Sequence, residues 1–124
     1  MDFAASTTAA LDGLLTREGF MAGQGGDTEV IYCAGHDELS DRFPRLPQAN
    51  AQPRGLGCCV DLVIDQYEPG VQVLLEGEPL ARTLRALGLD EAAQSIDEIG
   101  SMPLDPALET LVEVLPQLFR ASKP

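Results

Sequence analysis

The chain has 124 residues, with 20 acidic side chains against 8 basic ones and a formal net charge of −12. Its 44 % hydrophobic and 23 % charged residues suit a globular domain and are too apolar for a disordered one. The acidity excludes phosphate-backbone contact as the main activity, because nucleic-acid binders carry a basic footprint, and an anionic membrane surface would repel the chain as well.

No apolar run is long enough for a transmembrane helix, and Met1-Asp2-Phe3-Ala4 lacks the basic and apolar regions of a signal peptide. One domain spanning 1–124 in the cytoplasm is therefore expected. Cys33, Cys58 and Cys59 are an odd set. In that reducing compartment they are expected as thiols, with no disulfide framework.

Segment 6–17 carries Leu11, Leu14 and Leu15 at helical spacing, with Ser6 or Thr7 as N-cap and Gly19 to end the helix. Gly23 to Asp27 reads as a turn, and Glu29 to Cys33 as a short strand rich in β-branched and aromatic residues. From 42 to 57, three prolines, two glycines and three arginines show no periodicity, which predicts a Pro/Arg-rich excursion.

The clearest β signal follows. Cys58, Val60, Leu62 and Ile64 alternate with Cys59, Asp61, Val63 and Asp65, and Val71, Val73 and Leu75 alternate with Gln72, Leu74 and Glu76. Pro69-Gly70 between them predicts a hairpin over 58–76. Pro79, Asp90 and Asp105-Pro106 then start three helices. Leu80, Leu84 and Leu87 stripe the first, Ala92, Ala93, Ile96 and Ile99 the second, and Leu108, Leu111, Val112 and Leu115 the third. Pro116 is expected to break or kink the last. The predicted fold class is α+β. A small antiparallel sheet of about three strands packs against an N-terminal helix and a C-terminal helical half.

Charge is segregated. Segment 42–57 holds Arg42, Arg45 and Arg54 and no acid, whereas between Arg85 and Arg120 come Asp90, Glu91, Asp97, Glu98, Asp105, Glu109 and Glu113 and no base. Acids near helix N-termini complement the macrodipole, each contributing about 0.3–1 kcal/mol. Asp97 and Glu98 fall instead in the last turn before Gly100, with no local i,i+4 cation.

Catalytic constellations are sparse. Cys33-Ala34-Gly35-His36 has the spacing of a metal half-site, but adjacent Cys58 and Cys59 diverge on a strand and cannot both complete a zinc tetrahedron. Read as a nucleophile and base, Cys33 and His36 sit among Asp37, Glu38 and Asp41, which raise rather than lower a thiol pKa. Asp61 and Asp65 lie about 13 Å apart on a strand, too far for a carboxylate pair. The glycines at 23–26 are followed by no Gly-Lys-Ser/Thr. Neither metal nor cofactor is expected.

The expected function is that of a non-enzymatic acidic protein-binding domain. It would mask or escort a basic protein, in the manner of an immunity protein, antitoxin or secretion chaperone, by steering followed by apolar burial. Asp90, Glu91, Asp97, Glu98, Glu109 and Glu113 form the expected acidic rim, with Phe43 and Leu46 as apolar anchors in the excursion. Two other classes compete. One is a small thiol-dependent enzyme or ligand binder using Cys33, His36 and Asp41; the other is a self-associating structural subunit such as a homodimer.

Overall fold

The computed structural model of the chain describes residues 2–23, 25–47 and 59–124. Among these, α1 (Phe3–Arg17) leads into β1 (Met21–Ala22), β2 (Glu29–Gly35) and α2 (His36–Arg42). Strands β3 (Cys59–Tyr67), β4 (Gly70–Leu75) and β5 (Glu78–Pro79) follow, then α3 (Leu80–Ala86), α4 (Asp90–Glu98), a 3-10 turn at Ile99–Ser101 and α5 (Leu104–Ser122). The strands form one antiparallel sheet in the order β1-β2-β3-β4-β5. The class is α+β as the sequence predicts, but the sheet has five strands rather than about three.

Alternation decides which sheet face is covered. Val30, Ile64 and Val73 stand side by side across β2, β3 and β4, as do Tyr32, Leu62 and Leu75, and all six are buried. The helices cover this face. Phe3, Thr7, Leu11 and Leu15 repeat every fourth residue along the inner side of α1. Ala107, Leu108, Leu111, Val114, Leu115, Leu118, Phe119 and Ser122 do the same for α5. Full burial of each large apolar side chain contributes about 1.5–3 kcal/mol.

The expected hairpin is realised over β3 and β4, while Cys58 lies outside the described residues, as do 48–57 of the expected excursion. The beginning of that segment is no excursion. Arg42 closes α2, and Phe43 to Leu46 form a turn in which the Leu46 amide donates to the Phe43 carbonyl at 3.0 Å. The Arg45 amide also donates to the Ser122 carbonyl at 3.2 Å, tying this turn to the end of α5.

Other differences are local. The cap of α1 is Asp2, which accepts from the Ala5 amide at 2.7 Å, so the helix starts before Ser6. Asp90 starts α4 as expected, whereas α5 starts one residue before Asp105, at Leu104. Helix α5 also runs through Pro116. An interior proline costs about 3 kcal/mol. Burial of Leu115, Leu118 and Phe119, about 1.5–3 kcal/mol each, outweighs that cost. Val112 drops out of the predicted stripe, being 39 % exposed.

Candidate functional site

Helix α5 buries one side and turns Asp105, Glu109 and Glu113 to solvent. At 1.5 Å rise per residue these carboxylates succeed one another about every 6 Å along a single line. Helix α1 packs beside α5 and supplies Ser6, Ala9 and Ala10 as the facing wall. Between the two helices lies a groove of about 850 Å³, whose apolar lining includes Met102, Leu108 and Val112. The short side chains of Ala9 and Ala10 leave the space open, and the hydroxyl of Thr110, which also lines it, donates to the Pro106 carbonyl at 3.0 Å.

No ion pair among the described residues reaches Asp105, Glu109 or Glu113. Like charges at i,i+4 repel, so this edge is locally unfavourable until a cation approaches. Beyond the groove, Arg17, Arg120 and Lys123 line a second hollow of about 360 Å³ together with Glu18. The α1–α5 surface is thus acidic toward the start of α5 and more basic toward its end, the polarity that complements the macrodipole.

The remaining acids of the expected rim sit elsewhere. Asp90, Glu91, Asp97 and Glu98 are exposed on α4. Asp97 is not without a counterion: Arg85 of α3 pairs with it across the helix–helix contact. Reasoning along one helix misses that partner, because α3 and α4 meet only in the folded chain. Both side chains of the pair are about half exposed, so the pair adds little stability.

Phe43 and Leu46 are each only 1 % exposed, in the core rather than at the surface. The Phe43 ring lies 5.1 Å from that of Phe119, which also approaches Phe20 at 5.9 Å. Neither residue presents area to a partner. Phe43, at the end of α2, packs instead against Phe119 of α5.

Sequence reading gave no role to the outer face of the sheet as a unit. Ile31, Val63 and Leu74 stand in register across β2, β3 and β4, all half-buried. Carboxylates flank this row: Glu29 and Asp65 directly opposite one another on one side, Asp61 and Glu76 on the other. The hydrogen bond shared with Asp65, then burial and the Asp65 charge, raise the Glu29 carboxyl above its ordinary value. The signal was present as alternation in β3 and β4, but only the register aligns the three strands.

Cys33 also lies on this face, with Met21 and Asp61 as its strand partners. Burial, then the charges of Cys59 and Asp61, raise its thiol pKa, the opposite of nucleophile activation. His36 opens α2 and places its Nδ1 3.8 Å from Asp37. Asp41 lies exposed on the same helix. On the covered face, the Tyr32 hydroxyl donates to Asp12 at 3.2 Å. Burial first, and the Asp12 charge second, push that phenol up to about 12.

Among the described residues no group of three His, Cys, Asp or Glu side chains is arranged to hold a metal ion. No described helix is long and apolar enough to cross a membrane. Compared with protein families, curated proteins and solved structures, the chain matches none.

Proposed function

We propose that this protein is an acidic protein-binding domain whose α1–α5 groove takes a cationic amphipathic helix of a partner protein. The groove with its line of three carboxylates carries this reading: it combines an apolar floor with charge that has no ion-pair partner among the described residues. An α-helix is about 10 Å across and repeats its side chains every 3.6 residues. Lysines or arginines at i, i+4 and i+8 on such a helix match Asp105, Glu109 and Glu113, while its apolar face meets Leu108 and Val112. Small residues at Ala9 and Ala10 permit close approach. The carboxylates are exposed, so they contribute more to association rate and orientation than to affinity, which comes from apolar burial. Masking or escorting a basic partner follows from the same chemistry, because a bound helix has its charge and its apolar stripe covered together.

The test uses a synthetic helical peptide with lysines at i, i+4 and i+8 and leucines on the adjacent face. Titration followed by amide chemical-shift mapping is expected to perturb residues of α1 and α5. Binding should weaken steeply between low and physiological salt. The double substitution Glu109→Lys and Glu113→Lys should slow association at least tenfold at low salt and leave the thermal midpoint within a few degrees. Salt-independent binding, or shifts confined to α4 or the outer sheet face, would refute the assignment to this groove. So would sedimentation showing a second copy seated there, with Arg120 and Lys123 of one copy against the acids of the other.

A further inference from the structure

We propose that Cys33 and Cys59 are a reversible dithiol–disulfide pair, closed across β2 and β3 by a small disulfide oxidant such as glutathione disulfide. This inference is independent of the groove. The register sets Cys33 opposite Asp61 and Gly35 opposite Cys59, so the two thiols occupy neighbouring strands, one diagonal step apart, on the same outer face. In an untwisted ladder a diagonal separates Cα atoms by about 7–8 Å, just beyond the usual bridging range. The right-handed twist of paired strands shortens one of the two diagonals. The Cys59 thiol is near enough to raise the pKa of Cys33.

Gly35, the residue opposite Cys59, has no described atom within 4 Å of where a Cβ would project, which leaves room on that side of the pair. Access favours a definite order of events: Cys59 is exposed and Cys33 half-buried. The Cys59 thiolate attacks one sulfur of glutathione disulfide, expelling a glutathione thiolate and leaving a mixed disulfide. Cys33 then loses its proton, attacks the Cys59 sulfur and releases the second glutathione. Two protein thiols are oxidised and one glutathione disulfide is reduced to two thiols. The raised pKa of Cys33 suits the second, intramolecular step, in which proximity compensates for a small thiolate fraction. The product ties β2 to β3 and closes the loop that carries segment 34–58.

Incubation of the full chain with glutathione disulfide near pH 8 tests this. The intact mass is expected to fall by two hydrogens, with one of the three cysteines still open to alkylation. Tryptic digestion should join the peptide ending at Arg42 to the one beginning at Gly55, and dithiothreitol should separate them. Cys58→Ser keeps both members of the pair and should give the same link, whereas Cys33→Ser should retain a glutathione adduct on the exposed thiol. A link between Cys58 and Cys59 would appear as a mass loss within the second peptide alone and would overturn the proposal. So would a wild-type chain that stays fully alkylatable, or one that accumulates glutathione adducts without the cross-peptide link.

Discussion

Two glycine-to-alanine substitutions should move stability in opposite directions, for reasons visible only in the packing around each. Gly70 starts β4 and is buried where that strand crosses the 3-10 turn. A methyl group there would lie 1.9 Å from the Ile99 carbonyl oxygen and 2.6 Å from that of Met102, whereas ordinary contact begins at 3.4 Å. The shortfall of about 1.5 Å falls on two backbone carbonyls, which cannot swing aside as a long side chain would. Overpacking of this kind costs about 1–3 kcal/mol, and the rigidity of both obstacles places Gly70→Ala at the upper end. For a domain of this length 1 kcal/mol corresponds to about 3–6 °C, so its thermal midpoint should fall by about 10–15 °C.

Gly13 is the counterpart. It sits exposed inside α1, with none of the described residues packed within 4 Å of where a Cβ would project. Alanine there removes only the entropic penalty of glycine in a helix, a gain of about 0.5–1 kcal/mol. Calorimetric or circular-dichroism melting of both variants, with urea slopes to confirm unchanged cooperativity, reads the two effects. A Gly70→Ala midpoint within 2–3 °C (roughly half a kcal/mol) of the wild type would show that the seam is not close-packed. A lowered midpoint for Gly13→Ala would refute the account of that position.

Phe43→Ala should cost about 3–5 kcal/mol in urea unfolding, because it empties a fully buried site against Phe119. A loss below 1 kcal/mol would return this residue to the surface. Tyr32 gives a pH test. Its folded phenol titrates near 12 against an ordinary 10, so the folded chain keeps a proton that the unfolded chain has lost in between. The stabilisation is complete below about pH 10 and disappears as pH rises through about 12. Urea midpoints should therefore fall over that window more steeply in the wild type than in Tyr32→Phe, and parallel curves would sink the argument. Asp97→Asn should cost only about 0.2–1 kcal/mol, with Arg85→Gln adding almost nothing to it and the coupling vanishing in high salt.

Much of the secondary structure was legible because it rests on local periodicity. The stripe of α1, the alternation of β3 and β4, and the glycines at 19 and 88, both at positive φ after a helix, needed no tertiary context. Short elements were not legible. Two-residue strands such as β1 and β5 carry no period and exist because a neighbour completes their ladder. The β4–β5 turn did leave a trace, since Glu76-Gly77 is an acid–glycine dipeptide and both residues adopt positive φ. In α2, His36 to Arg42, only Leu39 is buried, too little for a stripe.

The candidate site divides the same way. Composition and the distribution of Asp and Glu along the chain determined by themselves that the surface would be acidic and that α5 would carry Asp105, Glu109 and Glu113 on one line. Folding decided which carboxylates face a groove, which meets an arginine, and that Phe43 and Leu46 are inside. Net charge is a sum over residues and survives any arrangement of them. Burial, counterions and grooves are relations between segments far apart in sequence, fixed only when helices and sheet pack.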